Sequence, residues 1–374
     1  MNTNKSAIET LIQNKPFMLN TEQKKTAFRQ AMKEAFQHHI DNNPLFAKYC
    51  TKKGLDIKNF PKNLEDLPYI PVKLFKSNLI ASVNEKDIKK RLHSSATSGV
   101  PSTVALDQIT SKRQALVSSK VISEYIGNHR RPFLILDEDP RESTSQDINA
   151  RLAATTGFLL FSSDTDYLLQ PNAKTLTIDK EKLQDKFKHY ETTQEEVCIF
   201  GFTYILYHHV IRPLKEMGIS FKLPPSTKIC HIGGWKKLEN QKVSKEIFLE
   251  DIHQVLSIPK ENIIDFYGFT EQMGLVYANT GNTPKSVHNY AEVIIRDIQT
   301  LKPAKLGEEG FIQILTPVPH SYPGISVLTE DIGKIVDNGP DENGRPGNRF
   351  EIIGRAKKAE ARGCGDIMSE YVDE

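Results

Sequence analysis

A chain of 374 residues, 38% hydrophobic and 26% charged, has the make-up of an ordinary globular protein and the length to bury a large core across two or three subdomains. Its 49 Lys and Arg nearly balance 47 Asp and Glu, and a net charge of +2 offers no field that would collect nucleic acid. No apolar run reaches the ~18 residues of a membrane span, and the opening M-N-T-N-K-S-A-I-E-T lacks the apolar core of a signal peptide, so a cytoplasmic chain with no membrane insertion is expected.

Along the chain, roughly the first 60 residues read as helix, because Ile8, Leu11 and Ile12, then Phe28, Met32, Ala35 and Phe36, recur at the 3.6-residue period. Pro61, Pro68 and Pro71 mark an irregular connector. Residues 93–102, H-S-S-A-T-S-G-V-P-S, pack hydroxyls and a glycine into a turn that cannot continue as helix. Such a turn can curl its N–H and hydroxyl donors around a polyphosphate, although a lone one is more often just a polar surface turn. Residues 108–126 return to helical spacing, with Leu116, Val117, Val121 and Tyr125 expected on one side.

Apolar runs at 133–136, 197–200, 229–232, 263–266, 293–295 and 311–315 read as strands, with amphipathic helices between several of them, clearest at 242–256. That alternation indicates an α/β protein. The later connections are short, which predicts a β-rich subdomain at about 291–337. Residues 338–348 form a Gly/Pro-rich loop, followed by a strand-like run at 350–353 and a Gly-, Lys- and Arg-rich tail.

Three further segments carry possible chemistry. In I-I-D-F-Y-G-F-T-E-Q-M-G, residues 263–274, a strand opens a turn at the sheet edge where α/β proteins bind ligands. There Tyr267 offers a ring face to a purine, Thr270 a hydroxyl to a phosphate and Glu271 a hard oxygen to Mg²⁺, the plainer reading being a helix cap with an exposed acid. In V-L-T-E-D-I-G, Asp331 follows a strand and can accept both ribose hydroxyls, or be only a turn residue. In I-I-G-R-A-K-K, Gly354 and Arg355 follow a strand, or form a hairpin turn with exposed cations. There is neither a G-x-x-x-x-G-K-[ST] nor a G-x-G-x-x-G, which disfavours a P-loop NTPase and a Rossmann dehydrogenase. The doublets His38–His39 and His208–His209 lack carboxylates at ligand spacing and read as surface and core histidines rather than a metal hydrolase.

The four cysteines form no C-x-x-C pair. Cys198 and Cys230 sit in strand-like runs and read as buried structural thiols. Cys364, in A-R-G-C-G-D, is flanked by glycines that leave its sulfur little cover.

In order and spacing these segments resemble the motifs of the adenylate-forming ligases, the superfamily of acyl-CoA synthetases, peptide-synthetase adenylation domains and firefly luciferase. S-S-A-T-S-G-V-P-S is similar to their S-[SG]-T-[TS]-G-x-P phosphate loop and F-Y-G-F-T-E to their Y-G-x-T-E. T-E-D-I-G is similar to their T-G-D, and I-I-G-R to the Gly-Arg before their hinge. H-I-G-G-W, residues 231–235, resembles the glycine-rich turn between acyl pocket and adenine. Ala96 departs from a glycine of the phosphate loop and Ser102 from its lysine, which aryl-CoA ligases of the superfamily also lack.

The resemblance implies a large adenylate-forming domain of stacked α/β sheets with a small β-rich subdomain, residues 1–352. It also implies a truncated C-terminal domain reduced to a hinge and acyl-acceptor tail, 353–374. Lys357, Lys358 or a partner subunit is left to replace the lysine which that domain supplies. ATP and Mg²⁺ are the implied cofactors, with Ser94, Ser95, Thr97, Ser98 and Gly99 on the phosphates and Gly233, Gly234, Tyr267 and Gly268 on the adenine side. Asp331 would take the ribose, and Arg355, Thr270 and the Mg²⁺ ligand Glu271 complete the implied site. Tyr204, His208 and Trp235 are expected near an acyl pocket.

With its short tail, ending A-K-K-A-E-A-R-G-C-G, the sequence closely resembles the acyl-protein synthetases of bacterial bioluminescence fatty-acid reductase complexes. In that family ATP activates a long-chain fatty acid such as tetradecanoate. The acyl group passes to a C-terminal cysteine, here Cys364, and on to an acyl-CoA reductase subunit that makes aldehyde for luciferase; an acyl-transferase subunit completes the complex. Extended, the segment from Arg355 to Cys364 reaches at most about 30 Å, enough to bring the sulfur to an adjacent site. A fatty or aryl acid–CoA ligase and a non-catalytic nucleotide-binding scaffold remain the alternatives.

Overall fold

The computed structural model describes residues 5–77, 79–94, 100–140, 150–172, 175–235 and 241–356. Helices α1 (Ala7–Gln13), α2 (Thr21–Asn42) and α3 (Pro44–Lys52) form where the apolar period places them. Asn20 and Gln23 start α2 with a reciprocal capping box, and Asn43 caps α3 ahead of Pro44. The connector then forms β1 (Ile70–Pro71) and α4 (Leu74–Ser77). The hydroxyl turn joins β2 (Lys90–His93) to β3 (Thr103–Leu106) as an antiparallel hairpin.

Next come α5 (Gln108–Ile126), β4 (Arg131–Glu138), α6 (Ala150–Leu159), the hairpin β5 (Ser162–Asn172) and β6 (Thr175–Ile178), and α7 (Lys180–Thr193). Asp107 caps α5 at the Thr110 N–H (2.7 Å), and Val117, Val121 and Tyr125 are buried as expected. Leu116 is not: it is 39% exposed, because a position one residue before Val117 lies about 100° around the helix.

After β7 (Cys198–Phe202), α8 (Thr203–Ile205) and α9 (Arg212–Glu216) flank a π-helical turn at Leu206–Ile211. The remaining elements are β8 (Lys228–Ile232), α10 (Lys245–Leu256), β9 (Ile263–Tyr267), β10 (Tyr277–Thr280), β11 (Lys285–Ser286), β12 (Glu292–Arg296), β13 (Gly310–Leu315), β14 (Ser326–Asp337) and β15 (Arg349–Arg355).

Among the described residues the strands form two large sheets. One runs β10-β9-β8-β7-β4-β5-β6, parallel from β9 to β5, with β10 and β6 antiparallel on its edges. The other runs β11-β15-β14-β13-β12 and is antiparallel, except that β1 adds in parallel to β14 at Val327 and Leu328. This second sheet takes in residues on both sides of 291–337, and β15 passes through position 352 without a break.

Phe158 of α6 packs on Phe200 and Phe266, at ring-centroid distances of 4.3 and 5.0 Å, and so joins helix layer to parallel sheet. Cys198 and Cys230 are fully buried on neighbouring strands, as their apolar runs predict. His38, His39 and His320 gather where α2 meets the cap of α5, and His320 pairs with Asp107 at 2.6 Å. No described helix is long and apolar enough to cross a membrane.

Candidate active site

The C-terminal ends of β7, β8 and β9 open onto one cleft of about 1710 Å³, closed on its other sides by the β2–β3 hairpin and by β14 and β15. Ser94, Gly233, Gly234, Trp235, Tyr267, Gly268, Thr270, Glu271, Asp331 and Arg355, which stand far apart in sequence, all line it.

Ser94 closes the neck of the hairpin. Its N–H donates to the Ser102 carbonyl (3.0 Å) and its Oγ accepts from the Ser102 N–H (2.8 Å), which leaves the hydroxyl hydrogen to donate into the cleft. Ser95, Thr97, Ser98 and Gly99 lie outside the described residues, as does Cys364.

Beyond β9 the chain makes one 3₁₀ turn, Thr270–Gln272. Gln272 locks it from behind, its Nε2 donating to the carbonyls of Ile314 (3.1 Å) and Gly324 (2.8 Å). Gly274 ends the turn at φ +87°, where a Cβ would meet the Gln114 Cβ of α5 at 2.6 Å; no other residue fits. Both Thr270 and Glu271 are buried, so the exposed-acid reading fails: Glu271 is 4% exposed. Burial raises its pKa, against the opposing influence of the Ser102 hydroxyl and the charges of Lys76 and Arg355.

Asp331 lies within β14 rather than after a strand, beside a bulge between Ile332 and Gly333. Its carboxylate accepts from the Tyr267 hydroxyl at 2.7 Å, and burial raises its pKa, which the Tyr267 hydrogen bond opposes. Arg355 sits opposite Asp331 in the ladder, and its Nη2 is 2.8 Å from Oε2 of Glu330.

At the end of β8, Gly233 takes φ +82° and its carbonyl accepts from the Thr203 hydroxyl at 2.6 Å. Trp235 lines the cleft and Tyr204 and His208 do not; His208 packs edge-on against Trp235, ring centroids 5.3 Å apart. The π-helical turn inserts an extra residue into this segment and rotates the face that simple helical spacing would present. An arm of the cleft runs instead between α5 and α6, past Ala115, Ser118, Ile122, Ala154, Gly157 and Leu160, residues too small or too ordinary to mark a site in sequence.

Sequence reading also missed a buried polar group on the cleft wall. Lys285 Nζ is 2.8 Å from Asp265 Oδ2 and 2.8 Å from Asn279 Oδ1, and the adjoining His231 has its pKa lowered to about 4 by burial. The alternating sheet pattern gives no hint of these four, because each belongs to a different strand. No described group of three or more His, Cys, Asp or Glu side chains is placed to hold a metal ion alone.

Comparison with known proteins adds the identity of the family. The family model described as "Acyl-protein synthetase, LuxE" matches residues 2–373. The chain is similar to the long-chain-fatty-acid–luciferin-component ligase of Vibrio harveyi, 25% identical over 362 residues that cover 95% of this chain and 90% of the relative. It is similar also to the ligase of that name from Aliivibrio fischeri, 25% identical over 377 residues, covering 98% and 94%. In fold it matches an open form of 2-hydroxyisobutyryl-CoA ligase crystallised with 2-HIB-AMP and CoA, with a TM-score of 0.67 at 13% identity over 91% of this chain and 76% of that one. Motif order, cleft and family match converge: this chain belongs to the acyl-protein synthetase (LuxE) family of acyl-adenylate-forming ligases.

Proposed function

We propose that this protein activates a long-chain fatty acid, tetradecanoate or one of similar length, as acyl-AMP and then takes the acyl group onto its own Cys364 as a thioester. An acyl-CoA reductase subunit would receive it and make fatty aldehyde for luciferase, with an acyl-transferase subunit supplying the acid. The reading rests most on one observation: Ser94, Glu271, Asp331 and Arg355 meet in one cleft, and Cys364 follows Arg355, the last residue of β15, by nine positions in sequence. Residues 1–352 then act as the adenylating unit and 353–374 as hinge and acceptor tail.

In the first half-reaction a carboxylate attacks the α-phosphorus of ATP and pyrophosphate leaves. Two anions must meet, so the protein's task is positioning and charge stabilisation. Ser94 and the hydroxyl loop, through Ser95, Thr97, Ser98 and Gly99, donate to the phosphates together with Thr270. Asp331 accepts the ribose hydroxyls, while Tyr267, Gly268, Gly233 and Gly234 border the base.

Mg²⁺ typically keeps several waters and takes one or two carboxylates plus substrate phosphates. Glu271 fits that need, since it is a buried carboxyl whose ionised form, disfavoured by burial, a cation would stabilise. When bound, the ion neutralises phosphate charge. The acyl chain lies in the arm between α5 and α6. In the second half-reaction the Cys364 thiolate attacks the acyl carbonyl and AMP leaves.

Labelled pyrophosphate exchange into ATP, with fatty acid and without CoA, tests the first half; intact-chain mass spectrometry after incubation with ATP, Mg²⁺ and tetradecanoate tests the second. Cys364→Ser should keep exchange and lose the hydroxylamine-labile acyl mass, while Cys50, Cys198 and Cys230 changed singly to Ala keep it. Release of acyl-CoA with no acylated chain would favour a CoA ligase. Nucleotide binding without exchange would leave a scaffold.

A further inference from the structure

The neck of the hydroxyl loop, Ser94 and Ser102, brings hydroxyl groups to the cleft and no cation. A cation arrives from elsewhere. The connector P-V-K-L-F-K-S docks on the second sheet: β1 pairs with β14, and the Val72 N–H continues the pairing to the Leu328 carbonyl at 2.9 Å. Phe75 of α4 is then buried edge-on against Tyr322, with ring centroids 6.0 Å apart. The next residue, Lys76, lines the cleft, its side chain 27% exposed.

Lys76 Nζ is 3.7 Å from Oε2 of Glu330, longer than a hydrogen bond, while Arg355 already holds that oxygen at 2.8 Å. Lys76 is thus aimed at the carboxylates of the cleft without being bound tightly to one, and its charge acts on Glu271. Other lysines of the cleft are differently placed. Lys285 is tied to Asp265 and Asn279, Lys245 donates to the Thr283 carbonyl at 3.1 Å, and Lys90 stands exposed at the outer end of the hairpin stem.

Building on the adenylating reading above, we propose that Lys76 is the catalytic cation that meets the phosphates of ATP during acyl-adenylate formation. The bond formed joins a fatty-acid carboxylate oxygen to the α-phosphorus; the bond broken joins that phosphorus to the bridging oxygen, and its electron pair departs with pyrophosphate. No proton moves, so the lysine stays an ammonium throughout and serves by charge alone. ATP carries more negative charge than Glu330 and displaces it as the partner of Lys76.

The test compares Lys76→Gln, Lys76→Ala and Lys76→Arg with the parent chain. Readouts are fatty-acid-dependent pyrophosphate exchange, acylation of the chain by synthetic tetradecanoyl-AMP, and the thermal midpoint. Exchange should fall by about 10² in Lys76→Gln and Lys76→Ala, the scale of one lost electrostatic contact to a transition state, and recover to within about tenfold in Lys76→Arg. Acylation from tetradecanoyl-AMP should stay within about twofold, because pyrophosphate has already left, and the midpoint should hold.

Exchange within threefold of the parent in Lys76→Gln overturns the assignment and leaves the adenylating reading intact. Equal loss of exchange and of acylation from tetradecanoyl-AMP makes Lys76 structural and also overturns it. A parent chain that performs no exchange overturns the adenylating reading itself, and this assignment with it.

Discussion

The Tyr267 hydroxyl, at the end of β9 in the parallel sheet, donates to the Asp331 carboxylate on β14 of the antiparallel sheet at 2.7 Å. One hydrogen bond thus spans the two sheets across the cleft and holds the carboxylate proposed for ribose at a fixed point. Tyr267→Phe keeps the ring face and removes the donor. It should cost about 1 kcal/mol of stability in urea titrations and move the KM for ATP by less than about threefold. Asp331→Asn removes the acceptor itself and should raise that KM by about tenfold or more. Equal effects of the two changes on KM would put the ribose elsewhere.

Glu271 should show opposite signs in activity and stability. Burial raises its pKa, so the folded chain binds that proton more tightly than the unfolded chain does. The stability this provides is complete below the unfolded pKa and is lost as pH rises through the folded one. Glu271→Gln should therefore stabilise the fold at pH 7 by about 1 kcal/mol, the usual gain when an active-site constraint is relieved. The gain should fade toward acid pH. Pyrophosphate exchange should fall by about 10². Activity within a few-fold of the parent would return Glu271 to a purely structural role.

Buried neutral histidines should make the fold acid-sensitive. Burial depresses the pKa of His231 to about 4, that of His288 to about 3, and that of His39 well below its ordinary 6.5, where the charge of neighbouring His38 adds to the effect. Because these folded values are depressed, the stability they contribute is present above the unfolded pKa and is lost as pH falls toward the folded ones. Each such group should steepen the loss by about 1.4 kcal/mol per pH unit. Urea midpoints at pH 7, 6 and 5 measure this, and a flat series would contradict it.

Acyl-chain preference should respond to the α5–α6 arm. Ala154, half-buried, lines it beside Gly157, where a Cβ would meet the Ser118 Oγ at 3.3 Å and the Ile122 Cδ1 at 3.8 Å. Ala154→Leu should shift exchange from tetradecanoate toward shorter acids by about tenfold in relative kcat/KM, with the KM for ATP unchanged. Substitution at Tyr204 should leave the preference alone. A change at Tyr204 with none at Ala154 would relocate the acyl chain to the π-helical side.

The parallel strands were legible because strands covered on both faces must be apolar throughout, and β4, β7, β8 and β9 each contain such a run. The hairpin β5–β6 was not, since β5 opens with the polar S-S-D-T-D and buries only a short run at Leu168 and Leu169. In the cleft, Tyr267, Glu271, Asp331 and Arg355 announced themselves through the order of three short motifs. Lys76 could not, as one lysine in a proline-broken connector has no pattern. The arm between α5 and α6 was equally silent: a groove between helices is made by what the side chains lack. Leu116 was misplaced by a rotation about the helix axis that apolar spacing alone does not resolve.

The pairing of β1 with β14 also bears on how the molecule is made. The His38 ring meets the carbonyl of His320 at 2.9 Å across 282 positions of sequence, and Ile70 finds Val327 in the same region. During synthesis the N-terminal helices therefore emerge long before the strand that anchors them. Such high contact order slows folding and leaves apolar faces waiting for partners. The cleft is completed last, once β14 and β15 have been made, so its walls meet only when nearly all the described chain is available.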